Sequence, residues 1–392
     1  MPGSDFVAHQ SGPNEIQVMR QPSGLVPLIS QGSLSVSLLH GVDEEREAAE
    51  RDLVALGVPL PLPHTCAWAR LIRCSESWFL AVRNGGKLCG GFALEVTRSR
   101  ALPGHVLLRA ERFGAGCKGD SLEISIAALG KLASVDRRIL RVNVESFSRD
   151  AQEREAIEVN LRARQFQRSE NARRYPRTVA IDLSPDEAGI LKSFNATARQ
   201  NVRAVNKHPV RIGTLDFEHI PRIAELYRET ISRTGGKVQT RDWAGIIDLS
   251  KSCPDRSRLV GLFRTDVQQD CLLAFAWGCG HGDYVHYSTA ASTRNTDLRM
   301  PLAYPLVWDL ICWGKRHGGR WFDLGGVTDG HHGSGDALGG ISDFKRYFSK
   351  DVVTVGDEWV IEPRPVKARL ARAVSAGAAL ISCLRLGRAK SQ

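Results

Sequence analysis

The stretch 322–360 places an acidic and a basic residue on either side of a loop rich in glycine. Asp323 ends a predicted strand, and Lys345 lies in the amphipathic segment after the loop. Long glycine-rich loops that follow strand ends are common places for binding sites. A carboxylate there could orient an amine or accept its proton, and a lysine could hold a phosphate or stabilise a developing oxyanion. The alternative is that Asp323 caps the loop and Lys345 is a surface lysine.

A row of cations precedes this half of the chain. Ser184 and Glu187 form a capping box, so we predict one helix over 185–207. Four basic residues recur along it at spacings of seven, four and four, namely Lys192, Arg199, Arg203 and Lys207. Such a stripe binds phosphates of a ligand or of nucleic acid, or it is a solvated helix face. The sequence leaves both interpretations open.

Two further motifs are less specific. GAGCKG at 114–119 matches G-x-G-x-x-G before a helix, where backbone amides could approach a phosphate, but a plain glycine turn fits equally well. His331 and His332 are adjacent, and an adjacent pair cannot easily bind one ion from a regular element. We therefore predict no metal site.

The elements that position these residues occur in the same order twice. The first half has predicted strands at 77–82, 87–96 and 105–113, a helix at 121–133 and a strand at 138–145. The second half has strands at 258–264, 271–278 and 283–291, a helix at 302–318 and a strand at 320–325. Alternating strands and helices predict an α/β (α+β) fold, in which each mixed, mainly antiparallel sheet is flanked by helices.

Charge is distributed unevenly over the 392 residues, whose net charge is +10. Residues 363–392 contain seven basic residues and no acidic one. Apolar residues recur there every three or four positions, at Val366, Leu370, Val374, Ala378, Ile381 and Leu384. This pattern predicts a basic amphipathic helix that contacts the inner membrane face peripherally or docks on the protein body. No apolar run approaches the ~20 residues of a membrane span, and the N-terminus lacks a secretory signal, so we predict a cytoplasmic protein.

Several segments together resemble the C-terminal domain of Fem-type (FemABX-like) transferases, and in particular BioF2-like acetyltransferases of the GNAT superfamily. They are 285–292, 301–326, 340–349 and 356–360, with 196–212 similar to the arginine-bearing helix that opens that domain. The resemblance covers about 180–362 well and 60–160 only by pattern. It implies two tandem GNAT-like domains, at 36–178 and 179–362, with a flexible segment at 1–35 and the tail at 363–392.

The resemblance also implies a set of site residues. Asp323 and Lys345 are the implied catalytic residues. The implied substrate-binding residues are Arg199, Arg203, Tyr287, Gly325, Gly326 and Phe344. Tyr287 could equally belong to the core, because neighbours on a strand point to alternate faces. We expect Asp323→Asn to reduce turnover with little loss of stability.

The implied reaction is acyl or aminoacyl transfer to an amine in peptidoglycan, exopolysaccharide or other cell-envelope biosynthesis. We expect no tightly bound cofactor; acyl-CoA or aminoacyl-tRNA is the donor, and the acceptor is a phosphate-bearing small molecule or a lipid-linked precursor. The stretch 292–301 lacks the glycines of a CoA loop, and only 112–116 is vaguely similar to one. The alternatives are a CoA-dependent N-acetyltransferase acting on a sugar amine and a non-catalytic, degenerate GNAT module that binds RNA or a protein partner. A closed-off groove would favour the binding module.

Overall fold

The structure, a computed structural model, describes residues 27–71, 76–170, 175–234, 238–267 and 271–389. In chain order its first half contains β1 (Ile29–Gln31), β2 (Leu34–His40), α1 (Glu44–Ala55), a 3-10 turn (Leu62–His64), α2 (Cys66–Leu71), β3 (Glu76–Asn84), β4 (Lys87–Arg98), β5 (Val106–Phe113), α3 (Asp120–Val135), β6 (Ile139–Ser146), α4 (Ala151–Ala163) and β7 (Gln167–Arg168). Residues 1–26 of the predicted N-terminal segment lie outside the described residues.

The second half contains β8 (Arg177–Asp182), α5 (Glu187–Ser193), α6 (Ala196–Arg203), a 3-10 turn (Ala204–Lys207), β9 (Val210–Thr214), a 3-10 turn (Phe217–His219), α7 (Ile220–Arg233), α8 (Trp243–Ser252), β10 (Ser257–Arg264), β11 (Cys271–Gly280), β12 (Tyr284–Ser292), α9 (Ala303–Arg316), β13 (Trp321–Gly326), α10 (Gly339–Arg346), β14 (Val352–Thr354), β15 (Glu358–Ile361) and α11 (Pro365–Ala389). The predicted order of strands and helices is confirmed in both halves.

Each half builds one sheet. The strand orders are β1-β2-β3-β4-β5-β6-β15-β7 and β14-β8-β13-β12-β11-β10-β9. One parallel pair occurs in each sheet, β5 with β6 and β12 with β13, and the other pairs are antiparallel. Parallel neighbours need a crossover connection, which α3 and α9 supply. The mixed, mainly antiparallel architecture predicted for each half is therefore confirmed.

The final strand returns to the first sheet. β15 pairs with β6 and β7, although it lies inside the range 179–362 that the sequence predicts for the second domain. Trp359 on β15 is buried in the core of the first sheet. The chain therefore crosses from the first sheet to the second and back again, and sheet membership does not follow a single division at 178/179.

The crossover helices hold each sheet by one apolar face. On α3, Leu122, Ile126 and Leu129 recur at helical spacing and are buried in the first core. On α9, Leu306 and Leu310 do the same in the second core. Each fully buried leucine or isoleucine contributes about 1.5–3 kcal/mol relative to exposure, so these faces fix where the parallel strands lie.

The prediction of one helix over 185–207 is wrong, because the chain forms two helices there. Phe194 is buried and extended, and Asn195 caps α6 with its side chain. Asn competes for backbone groups in this way, so it is favoured at helix starts rather than in helix interiors. The first of the two helices is capped by Asp186 instead of Ser184. The four cations of the predicted stripe are therefore divided between α5, α6 and a 3-10 turn.

The C-terminal tail forms the helix α11, as its spacing predicts. Arg364 anchors its beginning by donating hydrogen bonds to carbonyl oxygens at the end of α3 and the start of β6. Ala368 is buried against the first half, whereas Val366 and Leu370 are exposed. In the part of the chain that the structure describes, no helix has the length and apolar character needed to cross a bilayer.

Candidate active site

The parallel strands β12 and β13 are paired only at their beginnings. Their register runs from Tyr284 opposite Trp321 to His286 opposite Asp323, and no pairing follows. β12 continues along β11, while the pairing of β13 with β8 shifts its register before Gly326. A cavity of about 750 Å³ lies where the two strands separate. Two parallel strands that part in this way leave a slot into which an extended ligand can insert.

Five of the eight residues predicted for the site line this cavity. They are Tyr287, Gly325, Gly326, Phe344 and Lys345. The structure brings them together from β12, β13 and α10. Asp323, Arg199 and Arg203 do not line the cavity, and their places are given below. The chemical role of each residue stays a prediction.

Lys345 is held at the base of the cavity. It lies on the inner face of α10, three residues from the buried Ser342 and Phe348, and is itself 8% exposed. Its Nζ donates a hydrogen bond to the carbonyl oxygen of Gly326 at 2.6 Å. Burial lowers the pKa of Lys345 to about 8, and the negative charge of Asp323 acts in the opposite direction. The side chain is therefore a desolvated ammonium group at neutral pH.

Three side chains converge around Gly325. This glycine has φ +79°, a conformation that L-residues rarely adopt. A Cβ placed on it would lie 3.4 Å from Lys345 Nζ, 3.7 Å from His286 Nε2 and 3.8 Å from the Tyr175 ring. A Cβ on Gly326 would lie only 2.5 Å from the Cβ of Tyr175. Gly326 therefore permits the close approach of Tyr175, and Gly325 permits the backbone turn around which the ammonium, the imidazole and the phenol lie.

A bulge in β12 increases the number of side chains that reach the cavity. Thr289 and Tyr287 pair with consecutive residues of β11, so Ser288 is the extra residue, and all three line the cavity. Tyr287 thus belongs to the cavity wall, and burial raises its pKa. Thr289 Oγ1 is buried and has no hydrogen-bond partner among the described residues. That hydroxyl can bind a ligand in the cavity.

Asp323 is fully buried beneath the cavity rather than on its wall. One carboxylate oxygen accepts hydrogen bonds from the Thr178 hydroxyl and from the Gly325 amide, the latter at 2.8 Å. The other accepts from the Tyr175 hydroxyl at 2.9 Å and lies 3.5 Å from Arg112. Because its oxygens are occupied, Asp323 is suited to positioning Tyr175 and Gly325 and has no free face for a substrate amine.

Arg112 reaches this carboxylate from the first half of the molecule. Its guanidinium donates a hydrogen bond to the Tyr284 hydroxyl at 2.6 Å and lies over the Phe147 ring at 4.3 Å. The side chain is almost wholly buried, with φ +49° at a break in the register of β5. Burial favours the neutral guanidinium, but Tyr284, Tyr175 and Asp323 outweigh it and raise the pKa of Arg112. The ion pair therefore joins the two halves directly below the cavity.

Two arginines stand in the cavity wall near each other. Arg233 ends α7, and Arg294 follows β12. Desolvation and the positive charge of Arg294 lower the pKa of Arg233. Within the described ranges neither guanidinium lies within ion-pair distance of a carboxylate. Glu229 acts on the pKa of Arg233 in the opposite direction, and the pair of arginines matches the charge of a phosphate group.

Arg199 and Arg203 occupy a different surface. The guanidinium of Arg199 donates hydrogen bonds to the carbonyl oxygens of Phe194 and Lys192 at the end of α5. Arg203 is exposed on α6. Arg199 thus satisfies free carbonyl groups of the preceding helix, and neither residue faces the cavity.

The glycine loop 114–119 serves close packing. A Cβ on Gly116 would lie 2.2 Å from the carbonyl oxygen of Gly91, whose amide donates to Gly116 in turn. Lys118 is paired with Glu153 at 2.7 Å. These contacts favour the plain turn over the phosphate loop. No group of three or more His, Cys, Asp or Glu in the described chain is placed to hold a metal ion.

Sequence reasoning missed His286, Tyr175, Arg112, Arg233 and Arg294. His286 lies beside Tyr287 in a segment that carries the family resemblance, so its position was a usable signal. Arg294 lies in the stretch 292–301, where one arginine by itself forms no recognisable pattern. Tyr175 and Arg112 come from distant parts of the chain, and no local pattern marks them.

Two sheets, each with an antiparallel run, a crossover helix and one parallel pair, define a tandem GNAT-like fold, and solved structures share it. The structure of FemX matches with a TM-score of 0.69 and 15% identity, over 86% of this chain and all of that chain. A tandem GNAT protein from the clavulanic acid biosynthesis pathway matches with a TM-score of 0.51 and 13% identity, over 84% of this chain and 98% of that one. No family model and no curated protein matches the sequence. The predicted resemblance to Fem-type proteins is confirmed at the level of the fold.

Proposed function

We propose that this chain is an N-acyltransferase that moves an acyl or aminoacyl group from a phosphate-bearing donor to an amine. The observation that carries the proposal is the cavity between the parting strands β12 and β13, with the ammonium of Lys345 at its base. A fixed cation in a desolvated site stabilises a developing oxyanion far better than one in water. The cavity is open, which favours an enzyme over the degenerate binding module.

The reaction needs few protein groups. The amine nitrogen attacks the carbonyl carbon of a thioester or aminoacyl ester, and a C–N bond forms. Lys345 stabilises the oxyanion of the tetrahedral intermediate. The C–S or C–O bond then breaks, and the amine proton passes to the leaving sulfur or ribose oxygen. His286, which lines the cavity and approaches Gly325 as Lys345 does, is the group we propose to carry that proton, since imidazole exchanges protons near neutral pH.

The donor is held through its phosphates by Arg233 and Arg294. Charge-assisted hydrogen bonds from guanidinium to phosphate are among the strongest polar contacts that proteins make. Aminoacyl-tRNA carries the phosphate of its terminal nucleotide close to the ester, whereas the pantetheine arm of acyl-CoA separates its pyrophosphate from the thioester, so the two donors would place their phosphates at different distances from Lys345. Thr289 Oγ1 supplies a further hydrogen bond to whichever group enters.

The acceptor is the amine of a cell-envelope precursor, from peptidoglycan or exopolysaccharide biosynthesis in the cytoplasm. This part of the proposal rests on the resemblance of 285–292 and 340–349 to Fem-type transferases. A CoA-dependent acetylation of a sugar amine is the second candidate. It is favoured by α9, whose first turn begins at the cavity without a side-chain cap, so that its backbone amides could donate hydrogen bonds to a pyrophosphate.

The test is incubation of the protein with labelled acyl-CoAs and, separately, with charged tRNAs in the presence of amine acceptors. We expect one donor to be consumed and the label to appear in an amide. Lys345→Met should reduce turnover by roughly 100-fold or more, in the range of a lost oxyanion-stabilising group, because methionine fills the space without the charge.

Lys350→Met is the matched control, since Lys350 is exposed on the same segment. Its turnover should stay within about twofold of the parent, as expected for a surface substitution. Consumption of neither donor, or equal turnover of the Lys345 and Lys350 variants, would contradict the proposed function.

A further inference from the structure

The C-terminal helix α11 has an exposed face that nothing in the described chain covers. Val366, Leu370 and Val374 are 77%, 53% and 45% exposed. They lie four residues apart, so they share one side of the helix. Ala368, by contrast, is 4% exposed and packs against the first half. At about 100° per residue, the apolar row lies on the side turned away from this contact.

Cations flank the exposed row. Lys367 and Arg369 are exposed next to it, with Lys367 Nζ 3.1 Å from His105 Nε2, and residues 363–392 contain no acidic residue. Arg364 and Arg372 are used otherwise: Arg364 holds the start of the helix, and Arg372 pairs with Glu362. Contacts at one end thus fix the helix, while its apolar row and Arg369 stay exposed.

We propose that α11 docks this protein on an anionic bilayer surface. An apolar row between cations is the composition of helices that lie in the lipid headgroup region. Charge argues against the other occupants. A second copy of the chain would bring the same cations to this face and be repelled by them. An apolar groove on another protein would have no use for the flanking cations. None of the described helices can span a bilayer, so the contact is peripheral.

The orientation follows from the docked end. The 25 residues of α11 are about 37 Å long, and its first turns are held to β6 and α3 of the first half. The first half therefore faces the bilayer, while the candidate active site belongs to the second half. Membrane docking is thus separate from the catalytic groups, and its test does not depend on the proposed reaction.

Vesicle sedimentation of the full chain tests the proposal. We expect the protein to sediment with vesicles of phosphatidylcholine and phosphatidylglycerol, and only weakly with phosphatidylcholine alone. The double variant Leu370→Glu with Val374→Glu should weaken vesicle binding by at least roughly tenfold, because it removes apolar contact and adds repulsion. Replacing Lys367 and Arg369 by Gln should weaken binding to the anionic vesicles and reduce its dependence on salt.

The matched control is Val54→Glu with Val159→Glu, which adds the same charge at helix positions that are 48% and 58% exposed on the first half. Its binding should stay within about twofold of the parent, and thermal unfolding should be the same for both double variants. Three results would overturn the proposal: a full chain that stays in the supernatant with anionic vesicles, an equal loss in the control, or a dimer that the Leu370 and Val374 changes dissociate without any vesicle binding.

Discussion

The parallel strand pairs of the two halves differ at their carboxyl ends. β12 and β13 are no longer paired beyond His286, and a cavity follows. β5 and β6 stay paired as far as Phe113, with breaks in register after Val106 and after Ala110. Arg112 occupies the second break with a positive φ, and bulges commonly re-aim a side chain in this way. At the position where the second half has a cavity, the first half therefore has an arginine that projects from its sheet.

The end that forms a cavity in one half forms an interface in the other. Phe147, directly after β6, stacks on Tyr284 and Trp321 with ring centroids 5.2 and 6.2 Å apart. These two residues begin β12 and β13. The carboxyl end of the first parallel pair thus packs on the amino end of the second. In the first half this end stays paired and packs beneath the candidate active site of the second half, which it supports.

Removing Arg112 is the strongest test of that support. We expect Arg112→Met to lower the free energy of unfolding by about 3–5 kcal/mol, because the buried Asp323 carboxylate loses its ion-pair partner. Urea unfolding measures the effect. Arg98→Met is the control: Arg98 pairs with Glu76 on the surface, and such pairs contribute about 0–1 kcal/mol. Equal stability changes in the two variants would mean that the interface does not support the site.

The same network changes an expectation drawn from the sequence. Asp323→Asn was expected to leave stability nearly unchanged, but the carboxylate accepts hydrogen bonds from Thr178, Gly325 and Tyr175 and faces Arg112. An amide donates through one of its two polar atoms, so at least one of these contacts must be lost. We now expect this variant to lose stability as well as turnover.

Titration of Lys345, a residue of the second half, is a second test with a smaller expected effect. With its pKa lowered to about 8, the side chain loses its charge above pH 8, and turnover should fall by up to about tenfold per pH unit there. The unfolded chain keeps the proton up to about pH 10.5, so the unfolded state binds more protons between the two values. The free energy of unfolding should therefore rise with pH in that window.

Opposite responses of activity and stability distinguish Lys345 from other titrating groups. Both pH dependences should be absent from Lys345→Met and should therefore appear in full in the difference between the parent and this variant. A parent whose turnover is flat from pH 8 to 10 would show that the ammonium is not needed for the reaction.

Glycine substitutions should have different effects in the first half, where the glycine loop is closely packed, and in the second half, where Gly325 lines the cavity. Gly116→Ala brings a Cβ within 2.2 Å of a backbone oxygen, so we expect a loss of about 1–3 kcal/mol with turnover per folded molecule unchanged. Gly325→Ala carries strain of about 1–2 kcal/mol from its positive φ, which shifts the backbone between Lys345 and His286. Its turnover should fall by roughly tenfold. Urea unfolding and turnover are measured on both variants. If Gly116→Ala and Gly325→Ala lost stability and turnover to the same extent, the contrast between the two halves would be contradicted.

The sequence could predict the part of the site that is local. Gly325, Gly326, Phe344 and Lys345 lie within about twenty residues, and their order is a motif that pattern recognition can use. The repeated strand and helix order was also visible, because hydrophobic periodicity is a local property. Tyr287 came with the same segment, although only the bulge at Ser288 shows that it lines the cavity.

The remainder depends on contacts between distant residues. Arg112 and Asp323 are 211 positions apart, and Tyr175 precedes β8 near the end of the first predicted domain. β15 belongs to the first sheet although it follows all strands of the second sheet in the sequence. The break at Asn195 was missed because the helical periodicity continues on both sides of a residue that is a good cap. Each miss is a case in which tertiary structure, rather than local pattern, decides.

The smallest expected effect concerns which cations meet the donor. The sequence predicts Arg199 and Arg203, whereas the cavity presents Arg233 and Arg294. Arg233→Ala with Arg294→Ala should weaken donor binding by roughly tenfold at low salt and by less at high salt, because screening reduces charge contacts that are open to solvent. Isothermal titration with the donor at two salt concentrations measures this.

Arg199→Ala with Arg203→Ala is the matched control, because it removes the same charge from the same half. Arg199 already donates to carbonyl oxygens at the end of α5, so its loss should lower stability by less than about 1 kcal/mol and leave donor affinity within about twofold. If the control pair weakened the donor more than the cavity pair, the phosphates would lie along α6. The parting of β12 and β13 would then hold only the acyl group and the acceptor amine.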